Sequence, residues 1–277
     1  MTPKLLQVLA CPTCVASLEL ISEGVRCTRC KEVYSDDDGI IHFVAGDVRP
    51  ESSRNLVEVS GLQDAALYER NARGNEERYH RDDSLREYVD FVAGCRGVIV
   101  DLATGPGGGR IAPILKRLPP ESLLIATDAC LPVLEFQCRL FKPQYPDQFE
   151  ILDVDLGKTL PFRDESIDIF CGAGATNIAN ISGTLREVAR CLRAQGSVVL
   201  SERFYARESE TAAYLTDKGH AFASFESFDA FCSSVGIEVT KYEELYTRTG
   251  KSEPGDGLPL KETDEWAESH IYLEKRA

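Results

Sequence analysis

The sequence predicts an α/β protein: a doubly wound, mostly parallel sheet with helices on both faces, preceded by a small metal-held ribbon. Three observations carry this expectation. An apolar strand, Val98-Ile99-Val100, ends in Asp101 and runs into a turn holding Gly105, Gly107, Gly108 and Gly109, after which Ile111, Ile114, Leu115 and Leu118 recur at helical spacing. Short apolar runs then alternate with amphipathic segments, the pattern of a sheet wound with crossover helices. Near the amino terminus, two Cys-x-x-Cys pairs stand close together, Cys11-Pro-Thr-Cys14 and Cys27-Thr-Arg-Cys30.

The 277 residues carry 31 Lys and Arg against 45 Asp and Glu, a net charge of −14. That balance disfavours nucleic acid as a partner, because binding to a phosphate backbone draws on positive potential. With 43 % hydrophobic residues there is material for one substantial core plus a small unit. No apolar run of about 18 residues occurs, so no membrane span is expected, and the opening Met-Thr-Pro-Lys lacks a secretory signal. Ten cysteines in such a chain point to a reducing, cytoplasmic setting with metal-bound or free thiols.

Residues 1–46 read as a zinc ribbon. Two knuckles let Cys11, Cys14, Cys27 and Cys30 converge on one Zn²⁺ at Zn–S distances of about 2.3 Å. Few large apolar residues accompany them, so the metal is expected to hold the segment folded. Four thiolates leave no open coordination position, and the expected role of the ion is structural. Lys4-Leu5-Leu6-Gln7-Val8-Leu9-Ala10-Cys11-Pro12 and Tyr34-Ser35-Asp36-Asp37-Asp38-Gly39-Ile40 resemble the zinc-ribbon activator subunit of tRNA, rRNA and release-factor methyltransferases. The resemblance covers residues 3–45 and implies a first helix packed on the ribbon. It also implies that this chain carries in cis a ribbon that other systems supply as a partner, with a surface for protein contact.

Residues 47–94 read as linker and cover helices. Pro50 and Ser52-Ser53 mark a polar connection. Leu62 to Val92 then reads as two helices broken near Gly74, whose Tyr68, Tyr79 and Tyr88 either pack on the core or form part of a lid.

Residues 95–277 form the main domain. Val98–Val100 is its first strand, and Pro119-Pro120 stops the helix that begins at Arg110. Leu123–Thr127 is a second strand ending in Asp128, an acid able to accept bonds from both hydroxyls of a ribose or to cap the next helix. The third strand starts at Phe149 and exits through Asp153 and Asp155. Leu160-Pro-Phe-Arg-Asp164-Glu-Ser-Ile-Asp168 leads into the fourth, Ile167–Phe170, which exits from Cys171 to Asn177. Cys171, beside Gly172, reads as an inert small hydrophobe. A helix from Gly183 to Leu192, a turn at Arg193-Ala-Gln-Gly196 and the strand Ser197–Ser201 follow. A helix from Phe222 to Val235, a strand after Gly236, an acidic loop at Ser252–Glu265 and a last strand from His270 complete the sheet.

Asp101-x-x-x-Gly105-x-Gly107 resembles the first motif of class I S-adenosylmethionine-dependent methyltransferases and departs from the dinucleotide pattern Gly-x-Gly-x-x-Gly. The Leu160–Asp168 stretch resembles the Leu-Pro-Phe-x-Asp-x-Ser-Phe-Asp of small-molecule members. Leu192 to Gly196 resembles their Leu-(Lys/Arg)-x-Gly-Gly turn, with Gln195 at the first glycine. The resemblance spans residues 95–275 and implies a Rossmann-like sheet of seven strands with S-adenosylmethionine as cofactor. It implies cofactor contacts from Asp101, Ala103, Gly105 and Gly107, ribose binding by Asp128, and an adenine contact from Asp153 or Asp155, with Asp155 favoured. The Asn/Asp-Pro-Pro-Tyr/Phe signature of amine and amide methylation is absent. The Gly-rich exit instead resembles that of quinone-type C-methyltransferases, placing Asn177 near the acceptor. His220 is a second catalytic candidate, because an imidazole titrates near neutral pH. The expected function is methyl transfer to a small molecule. RNA or protein methylation with the ribbon in cis, and a non-catalytic scaffold, are the alternatives.

Overall fold

The computed structural model describes residues 1–44, 77–105, 110–174, 181–217, 222–251 and 259–276. Helix α1 (Pro3–Val8) opens the chain, with the Thr2 hydroxyl accepting the Leu5 N–H at 3.2 Å and Pro3 in the first turn, where no N–H is needed. Four antiparallel strands follow: β1 (Leu18–Ile21), β2 (Gly24–Cys27), β3 (Val33–Asp37) and β4 (Ile40–His42).

The larger part contains α2 (Asp83–Ala93), β5 (Val98–Leu102), α3 (Ile111–Leu115), β6 (Leu123–Asp128), α4 (Leu131–Phe141) and β7 (Phe149–Asp153). It continues through β8 (Ile167–Ala173), α5 (Ile181–Cys191), β9 (Leu192–Tyr205), α6 (Glu210–Asp217), α7 (Phe225–Ser234), β10 (Ile237–Thr249) and β11 (Glu265–Lys275). These strands lie in the order β7-β6-β5-β8-β9-β11-β10. They are parallel from β7 to β9, and β11 runs antiparallel between β9 and β10. Chain order reverses on either side of β5, which opens a crevice at the carboxyl ends of β5 and β8.

The sheet does not stop at β7. Strand β4 pairs parallel with it, Ile40 opposite Ile151 and His42 opposite Asp153, so the ribbon strands extend the sheet to eleven. The Ala10 N–H donates to the Pro161 carbonyl at 3.0 Å and the Arg163 N–H to that of Val8 at 2.8 Å. Leu5, Leu9, Val25 and Tyr34 share one apolar cluster with Leu152, Leu160 and Phe162. Burial against the main domain therefore supplies the core that the ribbon's own composition lacks.

On the opposite face, α2 buries Leu85, Tyr88, Val89 and Val92, an apolar stripe at helical spacing. Asp82 caps it, accepting the Leu85 N–H at 3.0 Å. Tyr79 belongs to this packing: its hydroxyl donates to Asp90 at 2.7 Å, and the Arg117 guanidinium lies 3.4 Å from its ring centroid. Tyr68 lies outside the described residues.

Helix α3 is shorter than its apolar spacing suggests. Beyond Leu115 the turns tighten, and the Arg117 N–H bonds to Ile114, three residues back. Strand β9 begins earlier than expected, taking in the turn at residues 193–196 as an irregularity between the Ile167–Leu192 and Ile169–Ser197 pairs. Gln195 there has φ of +62°. A side chain in this left-handed region costs about 1–2 kcal/mol, more than the chain freedom a glycine would add. Gln195→Gly is accordingly expected to stabilise the protein by up to about 1 kcal/mol, read as a higher melting temperature. Among the described residues no helix is long and apolar enough to cross a membrane.

Candidate functional site

Strand β5 carries Asp101 to the crevice, where the chain turns with φ of +49° at Ala103 and +69° at Gly105. The turn is fixed from three sides. The Thr104 hydroxyl donates to Asp101 Oδ2 at 2.6 Å. The Gly105 N–H donates to Asp128 Oδ2 at 2.9 Å, while the Cys130 N–H donates to Asp128 Oδ1 at 2.8 Å. From α4, the fully buried Gln137 donates Nε2 to the Thr104 hydroxyl and the Gly105 carbonyl, each at 3.3 Å. Asp128 thus braces the glycine turn and the entry to α4 together, and with three N–H groups on its four acceptor positions it keeps capacity for a ligand hydroxyl.

Burial pushes the Asp101 carboxyl up to about 6. It also raises that of Asp128, against the pull of the Gly105, Cys130 and Ala129 N–H groups. Cys171 Sγ lies 3.6 Å from Asp101 Oδ1, and burial holds that thiol protonated, as an inert packing residue requires. Gly107, Asn177 and His220 lie outside the described residues.

Asp153 and Asp155 have different surroundings. Asp153 sits opposite Asp128 on the neighbouring strand, wholly buried, with Oδ2 3.0 Å from His42 Nδ1. Asp155 is partly exposed, accepts the Gly157 N–H at 2.9 Å and stands 3.7 Å from Lys158 Nζ. It lines a cleft of about 380 Å³ between ribbon and main domain, with Tyr34, Phe43, Val154 and Pro161. His42 is a residue that sequence reading passed over. Its only signal is its place at the end of a short apolar strand, and its partner becomes visible once β4 is known to pair with β7.

The four knuckle cysteines converge. Their sulfur atoms lie within 4.8 Å of one another. Cys11 and Cys30 are 3.6 Å apart and Cys14 and Cys27 3.4 Å, near the roughly 3.8 Å between sulfurs bound tetrahedrally to zinc. The Arg29 and Cys30 N–H groups donate to Cys27 Sγ at 3.4 Å, and Tyr34 Oη lies 3.2 Å from Cys11 Sγ. Val15 and Lys31, each following a knuckle, take φ of +58° and +66°. All ten cysteines are free of disulfides.

Residues 102–200 match the methyltransferase domain family. No curated protein matches the sequence. Among solved structures, geranyl diphosphate C-methyltransferase from Streptomyces coelicolor A3(2), bound to Mg²⁺, geranyl diphosphate and S-adenosyl-L-homocysteine, superposes with a TM-score of 0.54 at 12 % identity, covering 70 % of this chain and 77 % of that one. A protein provisionally assigned as a methyltransferase, from Bacillus halodurans C-125, gives 0.52 at 16 %, covering 68 % and 97 %. The [4+2]-cyclase SpnF gives 0.52 at 11 %, covering 70 % and 82 %. With its strand order, its acid-braced glycine turn and its matched segment, the chain has the class I S-adenosylmethionine-dependent methyltransferase fold, and residues 102–200 are similar in sequence to the methyltransferase domain family.

Proposed function

We propose that this protein transfers a methyl group from S-adenosylmethionine to a small-molecule acceptor and carries a structural zinc ion in its ribbon. The observation that carries the reading is the Gly105–Asp128 bond, which sets a glycine turn and an acid with spare acceptor capacity side by side at the crevice. When bound, the cofactor supplies an already electrophilic sulfonium methyl, so the tasks left to the chain are holding, aligning and excluding water. Asp128 holds the ribose hydroxyls, Gly105 and Gly107 let the backbone come close, and Asp101 organises the turn and faces the methionyl ammonium. Asp155 is the acid for the adenine amino group, because Asp153 is buried against His42.

The net charge of −14 and the missing Asn/Asp-Pro-Pro-Tyr/Phe signature support a small acceptor over RNA or protein. So does geranyl diphosphate in a neighbour of this fold. Four converging sulfurs with no disulfide fit a closed tetrahedral zinc site.

The raised Asp101 carboxyl gives a pH signature. Between the ordinary carboxylate range and about 6, the ligand-free native state keeps a proton that the unfolded chain has lost. Stability therefore declines as pH rises through that window. Asp101→Asn is expected to raise ligand-free stability at neutral pH by about 1–3 kcal/mol while weakening cofactor binding. Scanning calorimetry and ligand titration on one preparation check both signs.

Methyl-labelled cofactor, incubated with the protein and fractionated cell extract, tests the acceptor class. Label in the small-molecule fraction supports the reading, and label confined to RNA or protein overturns it.

A further inference from the structure

Strand β4 is two isoleucines closed by a histidine, and its parallel pairing carries that histidine to the carboxyl end of β7. His42 is the register partner of Asp153, and Asp153 is in turn the partner of Asp128 on β6. Register partners on parallel strands share a face, and neighbouring strands lie about 4.8 Å apart, so the three side chains form one row. The ladder around the row fixes it. The Phe43 N–H donates to the Asp153 carbonyl at 3.0 Å, and the Val154 N–H to that of Asp128 at 2.9 Å.

At the ribbon end, His42 Nδ1 lies 3.0 Å from Asp153 Oδ2, and its Nε2 stands 3.8 Å from Asp37 Oδ2 on β3. The His42 side chain is 16 % exposed, and that of Asp153 is wholly buried. At the crevice end, Asp128 holds the N–H groups of Gly105 and Cys130. Two acids set side by side away from water oppose each other's charge. Burial raises the Asp128 carboxyl, and the neighbouring charge of Asp153 adds to that rise. A donor on the far side of Asp153 offsets the opposition, because a hydrogen bond to an acid stabilises its charged form where it stands.

We propose that His42 is a positioning residue of the crevice: acting through Asp153, it sets how firmly Asp128 holds the Gly105 turn. The ribbon is then a working part of the site rather than an appendage to it. The expected effect on cofactor affinity rests on the ribose role of Asp128 given above; the link from His42 to the turn does not.

The test uses the full-length, zinc-loaded protein and four variants, each first checked for wild-type zinc content and cooperative melting. His42→Phe keeps a ring and removes the donor, with His42→Leu in its place if His42→Phe does not fold. His42→Asn puts an amide N–H near the position of Nδ1. Asp153→Asn, alone and combined with the donor-free variant, completes a double-mutant cycle. Calorimetry reads S-adenosylhomocysteine affinity, and amide exchange at Gly105 and Cys130 reads the hold of Asp128 without any ligand.

The donor-free variant is expected to bind about fivefold or more weakly and to exchange faster at both amides, with His42→Asn recovering most of each change. In the Asp153→Asn background the same substitution should change affinity by about twofold at most, because an amide has no charge to offset. Equal losses in both backgrounds, or equal losses in His42→Phe and His42→Asn, would show a packing role alone and overturn the proposal. Unchanged affinity and exchange in the donor-free variant would overturn it as well. If S-adenosylhomocysteine does not bind wild type, the cofactor reading fails, and exchange at Gly105 and Cys130 across the same variants decides the His42 link by itself.

Discussion

Cys27→Ser is expected to release the zinc and unfold β1–β3, the largest structural change that any single substitution makes here. Thiolate–zinc bonds contribute roughly 10–16 kcal/mol to the folding of isolated zinc-finger peptides, and one missing ligand forfeits most of that. The local backbone offers little in compensation, and what remains is the burial of Leu18, Val25 and Tyr34 in the cluster shared with the main domain. Val15 and Lys31 hold left-handed conformations next to the knuckles, and β1 and β3 leave Leu20 and Val33 in solvent. The main domain should survive, because its core on the α2 face does not involve the cysteine knuckles. Since β4 pairs with β7 and His42 holds Asp153, loosening the ribbon should also reduce cofactor affinity. Elemental analysis should find about one zinc per wild-type chain and none in the variant, with faster amide exchange over residues 17–36. Equal zinc content and equal protection in both proteins would contradict the ribbon assignment.

Asp128→Ala is expected to weaken S-adenosylhomocysteine binding by about 1–3 kcal/mol, roughly five- to 150-fold, through loss of charged acceptors for the ribose hydroxyls. The substitution also frees the Gly105 and Cys130 N–H groups. Asp128→Asn separates the two contributions. An amide keeps one acceptor oxygen and turns its NH2 toward the other backbone N–H, so an intermediate affinity and a partial loss of stability, smaller than in Asp128→Ala, are expected. Burial already raises the carboxyl of Asp128, so removing its charge carries no large folding cost. Unchanged affinity in Asp128→Ala would remove the ribose role.

The main domain was legible because its signals are local. Val98–Asp101 and Leu123–Asp128 are short apolar runs ending in acids, and each became a buried parallel strand with its acid at the crevice. The strand order came from the family resemblance, since no property of Phe149 or Ile167 by itself says which strand it neighbours. What escaped depends on long-range pairing. Nothing in Ile40-Ile41-His42 announces a parallel partner in residues 151–153, yet that pairing joins the ribbon to the sheet and assigns Asp153 to His42. Gln195 shows the reverse case. Its place at a family glycine was visible in sequence, and its positive φ explains why glycine is usual there.

Calorimetric titration of the purified, zinc-loaded protein with S-adenosylmethionine and S-adenosylhomocysteine tests the central claim most directly. Saturable one-to-one binding of both, weakened in Asp128→Ala, is the predicted result. Absence of heat from either ligand, in protein that is folded and carries its zinc, would contradict the account.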